Sequence, residues 1–211
     1  MELDWTTYLR LLISVLAIVN PLGAVPIFLT ATYRDSEETR HRLAKVAGLT
    51  VGLTLLAAMW CGQWVLALFG ISVDAFRVGG GILILLMAIS MMEARVPSAK
   101  STPDERREAI ENENIGVVPI GIPLMSGPGS IALMIVSAKS TEVWPGMVML
   151  SIIAILVAII CWITLQVSVV IGKRLGKTGI NIGTRLMGLV LAATGVEFIA
   201  GGMRAMFPIL R

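Results

Sequence analysis

The sequence predicts an all-α membrane protein: six transmembrane helices forming a 3+3 inverted-topology repeat, with discontinuous helices one and four. Three observations predict it. Apolar residues make up 56% of the 211 positions and charged residues only 15%, against roughly a quarter charged in soluble domains. Six apolar stretches are each long enough to cross a hydrocarbon core about 30 Å thick. Two of those stretches, one in each half, carry prolines and glycines in matching places. The ten-residue alternating segments of a membrane β-barrel are missing.

The first span runs from about Trp5 to Thr32, and Pro21 and Pro26 break it near its middle. Acidic residues precede it (Glu2, Asp4) and no small-residue cleavage site ends it, so it does not read as a removable signal peptide. The second span is about Ala44 to Phe69 and the third about Asp74 to Met92. The longest polar stretch follows, Arg95 to Asn114, containing "KSTPDERREAIENEN"; its mixed charge reads as a solvated linker. The fourth span, about Ile115 to Ser137, is again interrupted. The fifth is about Val143 to Ile171 and the sixth about Thr184 to Phe207. The chain thus divides into a first three-helix repeat (1–95), a cytoplasmic linker (96–114) and a second repeat (115–211).

Orientation follows from where Lys and Arg lie. Twelve of the 17 fall in the loops after spans one, three and five, among them Arg40, Arg42, Arg106, Lys173 and Arg185. Arg10, Arg77, Lys139, Arg204 and Arg211 lie on the other side. The loops after the odd spans are therefore expected in the cytoplasm and both termini outside.

The repeat is read from two matches. Pro21-Leu22-x-x-x-Pro26 in "NPLGAVPIF" corresponds to Pro123-Leu124-x-x-x-Pro128 in "PIGIPLMSGPGSI", 102 residues later. Arg77-x-x-Gly80 corresponds to Arg185-x-x-Gly188. A unit of three crossings re-enters from the opposite face, which inverts the second copy, an architecture common among secondary transporters.

A broken helix exposes N–H groups at one half-helix start and C=O groups at the other half-helix end. A zwitterion complements that pair. Backbone of this kind is tolerated at depth only when buried in protein or lining a cavity, so the two breaks are expected to meet in a small polar chamber. Its candidate residues are Asn20, Pro21, Gly23 and Pro26 in the first break and Ser126, Gly127, Pro128, Gly129 and Ser130 in the second. Gly48-x-x-x-Gly52 and Gly79-Gly80-Gly81 read instead as helix-packing glycines. Glu197, in "TGVEFIAGG", is the one acid near the middle of a span, and an intramembrane carboxyl is a candidate proton carrier or a polar-interface residue. Asp74 and Arg77 read as an interfacial ion pair.

Several function classes find no support. Lys and Arg are scattered over short loops, which argues against nucleic acid. His41 falls in a charged loop without ligand partners, and Cys61 and Cys161 lie in apolar helices, so neither a metal site nor a disulfide framework is expected. A phosphate-binding loop is missing, as are metalloprotease and nucleophile-elbow signatures; the chain is not expected to be an enzyme or to hold a cofactor.

Four motifs, "NPLGAVPIF", "LFGISVDAFRVGGGIL", "IGVVPIGIPLMSGPGSIA" and "GKTGINIGTRLMGLVLAATGVEFI", together resemble the MarC family of bacterial inner-membrane proteins, in particular its YchE-like branch. The resemblance covers nearly the whole chain except the linker. Members known as SnatA are small neutral amino acid transporters driven by a cation gradient. The resemblance therefore implies a glycine- or alanine-like substrate, with protons or sodium as the coupling ion. The rival expectations are a passive small-solute channel and a non-transporting membrane interaction protein.

Overall fold

The computed structural model describes residues 5–33, 35–93, 125–141 and 144–207. Among these residues there are seven helices and no strand: α1 (Trp5–Val19), α2 (Pro21–Ala31), α3 (Glu37–Leu68), α4 (Val73–Met92), α5 (Pro128–Lys139), α6 (Trp144–Gln166) and α7 (Ser168–Met206). Five stretches are long and apolar enough to cross a membrane: α1 with α2, α3, α4, α6, and Thr178–Met206 of α7. The 12-residue α5 is apolar but shorter. The linker 96–114 and the first part of the fourth span, including Pro123 and Leu124, lie outside the described residues.

Local chemistry sets the helix ends. Ser36 accepts the Thr39 N–H at 3.2 Å, and Glu37 and Glu38 occupy the first turn of α3, where acids favour the positive end of the helix dipole. The helix therefore begins seven residues before the expected Ala44. Arg40, His41 and Arg42 are helical rather than in a loop, and His41 Nε2 lies 3.9 Å from Glu37 Oε1. Ser72 caps α4 in the same way through the Ala75 N–H. Gly70, at φ 67°, turns the chain between α3 and α4.

The fifth span ends earlier than expected, at Gln166, and α7 starts directly after Val167. Gly176, at φ 61° and ψ −176°, then breaks α7. Lys173 and Arg174 consequently sit on a short helical segment rather than in an open loop.

Helix α5 lies in the core, with Gly129, Ser130 and Ala132 to Val136 all buried. It packs chiefly on α3 and α4, whereas α1 and α2 pack chiefly on α6 and α7. The most extensive helix pair is α4 with α7. Glycines allow these approaches. A Cβ on Gly81 would lie 2.9 Å from the Gly195 carbonyl oxygen, and one on Gly195 would lie 3.0 Å from that of Gly81. Gly80 opposes Ala132, and Gly48 and Gly52 oppose Trp162 and Ala158 of α6. Leu49, Leu53, Leu86, Ile155 and Leu189 are exposed, as lipid-facing residues must be. Trp5, Trp60, Trp64 and Trp144 gather where α1 begins, α3 ends and α6 begins, with Trp60 and Trp144 in ring contact at 6.0 Å. Such clusters mark a membrane–water interface.

Candidate functional site

The first break is a single residue wide. Asn20 adopts the left-handed conformation, φ 49° and ψ 64°, which asparagine tolerates better than most side chains. Its N–H donates to the Leu16 carbonyl at 2.8 Å, closing α1, and its own carbonyl accepts the Ala24 N–H at 3.3 Å, opening α2. The carboxamide Oδ1 accepts the Gly23 N–H at 3.1 Å. Asn20 thus ends one helix and caps the next. Pro21 follows at the first helical position, where its missing N–H costs nothing.

This geometry changes the expected parts of the first break. Gly23 does not hold space open for a solute. A Cβ there would collide with the Asn20 side chain, reaching its Cγ at 2.8 Å, so the glycine makes room for the cap. Gly23→Ala is expected to uncap α2 at a cost of about 1–2 kcal/mol, visible as a lowered thermal midpoint in detergent. Pro26 lies inside α2 and has no N–H for the Leu22 carbonyl, while Thr30 Oγ1 donates to the Pro26 carbonyl at 2.8 Å.

The second break is built differently. Gly127 precedes α5 in extended conformation and supplies no side-chain cap. Pro128 is the first helical residue and is exposed. The Gly127 carbonyl accepts the Ser130 N–H at 3.1 Å, the Ile131 N–H at 3.3 Å and the Ser130 hydroxyl at 2.9 Å, which spends the Ser130 proton on the turn itself. Ser126 is 1% exposed and its hydroxyl has no hydrogen-bond partner. An unpaired hydroxyl in such a place costs about 1–3 kcal/mol. It stands beside a buried helix start that no side chain caps, and the positive end of the dipole lies there.

The two breaks are neighbours. A Cβ on Gly129 would lie 3.4 Å from Ile18 Cγ2, 3.0 Å from Met87 Sδ and 3.3 Å from Ile84 Cγ1. The start of α5 is therefore wedged against the last turn of α1 and the middle of α4. Gly129 is a packing glycine, with side chains rather than open space where its Cβ would be.

Glu197 lies elsewhere, exposed on α7. Arg77 and Asp74 do not form the expected ion pair. Arg77 instead lies over Phe198, with its Cζ 5.4 Å from the ring centroid. Sequence reasoning singled out Ser126 for its hydroxyl but could not show that it is unpartnered, since that depends on every neighbour at once.

Residues 5–207 match the model of the MarC family, described as integral membrane proteins. A UPF0056 membrane protein of Buchnera aphidicola from Acyrthosiphon pisum, BU267, is 38% identical over 97% of this chain and 95% of its own length. The Escherichia coli K12 UPF0056 membrane protein YhcE is 36% identical over 97% and 95%. The Pyrococcus horikoshii UPF0056 membrane protein PH0760 is 37% identical over 96% and 97%. No solved structure matches. With a family match across almost its full length and helices built to face lipid, the chain belongs to the MarC family of integral membrane proteins.

Proposed function

We propose that the protein is a secondary active transporter of small neutral amino acids, of glycine or alanine size, across the cytoplasmic membrane. The observation that carries this reading is the buried, uncapped start of α5 with the unpartnered Ser126 hydroxyl beside it, pressed against the end of α1. A carboxylate would complete those donors. The Leu22 carbonyl, deprived of its helical donor by Pro26, and the Asn20 carboxamide supply polar groups on the opposing break. Ile18, Ile84 and Met87 pack closely against Gly129 at this point, so these side chains must move apart to admit a solute, which favours a small one.

The exchange of partners between the halves supports a six-span inverted repeat. The broken first span packs on the helices of the second half, and α5 packs on those of the first, as a pseudo-twofold axis requires. The same exchange means that neither half is a separate rigid body. Alternating access is then carried by the half-helices moving against the α4–α7 pair. The distribution of Lys and Arg puts both termini outside.

Ion coupling is assigned to backbone carbonyls at the breaks, which suits sodium, because Glu197 on the exposed face of α7 is not part of that chamber. Glu197→Gln is accordingly expected to leave both flux and its pH dependence within about twofold of the parent. A shifted pH profile would return the coupling role to Glu197.

The direct test is uptake of radiolabelled glycine and alanine into proteoliposomes under imposed proton and sodium gradients. Saturable uptake driven by one gradient is expected. Flux indifferent to both gradients would favour a passive facilitator, and no flux at all would retire the reading.

A further inference from the structure

A second polar site lies about 12 Å along α5 from the break, taking its residues at helical rise. It is a cleft of 350 Å³ where α1 begins, α4 begins and α5 ends, lined by Tyr8, Arg77, Ser137, Ser140, Thr141 and Phe198 among others. The Ser140 and Thr141 hydroxyls donate to the Val136 and Ser137 carbonyls. The Tyr8 and Ser137 hydroxyls have no partner among the described residues.

Arg77 is the cation of this cleft. Its Nε is buried without a hydrogen-bond partner, and none of the described carboxylates pairs with it. Its Cζ lies over the Phe198 ring, 5.4 Å from the centroid, a cation–π contact that supplies no hydrogen-bond acceptor to the guanidinium N–H groups. Gly201 makes the space: a Cβ there would lie 2.6 Å from Arg77 Cζ. A partly buried guanidinium with no acid paired to it among the described residues, beside two hydroxyls unpartnered there, is a polar cluster lacking an anion. Planar bidentate donors match a carboxylate.

We propose that this cleft is the receiving site for the carboxylate of the transported solute, with Arg77 as its principal binding residue. The inference rests on the transport reading for the identity of the solute. Between the cleft and the break, Leu133, Met134 and Val15 are buried, so the two sites are separated by packed apolar side chains. A solute is captured by Arg77 first and reaches Ser126 only when that packing opens.

The test is ligand-observed NMR line broadening with the purified full chain in an uncharged detergent, using acetate, glycine, methylammonium and inorganic phosphate as probes. Acetate and glycine are expected to bind and methylammonium not. Arg77→Met is expected to weaken acetate binding at least tenfold, and Arg77→Lys by no more than about threefold. Gly201→Ala displaces only the flexible end of Arg77, so it should fold and also weaken acetate binding severalfold. Repeating the series in a Ser126→Ala background isolates the cleft from the break.

Acetate binding that survives Arg77→Met, or no acetate binding by the parent, would overturn the proposal. So would phosphate binding more than tenfold tighter than acetate, which would mark a lipid-headgroup site. Arg77-dependent acetate binding without flux in liposomes would overturn the transport reading alone. Normal flux without such binding would overturn the cleft alone.

Discussion

Ser126→Ala is expected to lower saturable glycine uptake by at least tenfold while leaving the unliganded protein as stable as the parent or slightly more so. The sign of the stability change is what makes the experiment informative. A buried hydroxyl that serves the fold donates or accepts within it, and its removal destabilises. The Ser126 hydroxyl is buried and unpartnered, so its removal relieves a desolvation cost of about 1–3 kcal/mol, partly offset by the small void left behind. A thermal midpoint that is unchanged or raised, together with lost uptake, assigns the hydroxyl to a ligand. A lowered midpoint with normal uptake assigns it to the fold and ends the chamber proposal.

The companion variant at the other break needs more care. Asn20→Leu would place a bulky side chain in the left-handed region, at about 1–2 kcal/mol, and would also remove the α2 cap. Asn20→Gly keeps the backbone conformation available and removes the carboxamide with little loss of helix stability. Loss of uptake in Asn20→Gly with normal size-exclusion behaviour would implicate the carboxamide itself.

The largest structural effect is expected at the crossing of α4 and α7. Gly195→Leu should prevent accumulation of folded protein. Its Cβ would meet the Gly81 carbonyl oxygen at 3.0 Å, Leu85 N at 3.1 Å and Leu85 Cβ at 3.3 Å. Two of those three atoms are backbone, which cannot rotate away. The remaining side-chain atoms could be housed only by separating the most extensive helix pair in the molecule. Overpacking by a few atoms costs about 1–3 kcal/mol, and a full leucine between two backbones exceeds that range. Gly79→Leu is the control, because nothing lies within 4 Å of its Cβ position. A fluorescence-detected size-exclusion profile should show a folded peak for Gly79→Leu and none for Gly195→Leu. Equal peaks would mean that the crossing is not held by glycine contact.

The apolar spans, the break at Asn20-Pro21 and the packing role of Gly48, Gly52, Gly80 and Gly81 were legible in the sequence. Each depends on covalent structure or local composition: proline has no N–H, glycine has no Cβ, and leucine partitions out of water wherever it is placed. The early start of α3 was also written there, in Ser36 followed by Glu37 and Glu38, although the charged residues after them suggested a loop. Charge alone does not stop a helix that emerges from a membrane.

The roles within the site were not legible. The motif treats Gly23 and Gly129 as equivalents of a ligand-contacting glycine, yet one makes room for an asparagine and the other for Ile18, Ile84 and Met87. Arg77 and Asp74 are three residues apart on one helix, a spacing that permits an ion pair; the aromatic face of Phe198, more than a hundred positions away, takes the guanidinium instead.

By itself, then, the sequence determined that this chain lives in a bilayer and where its backbone must interrupt a helix, because those properties belong to residues and their immediate neighbours. Only the tertiary structure decided that the start of α5 meets the end of α1, that the Ser126 hydroxyl is left without a partner, and that Arg77 faces a cleft in which none of the described acids pairs with it. Partnership is a property of all the atoms surrounding a group, and in a helical membrane protein those atoms come from helices distant in the chain.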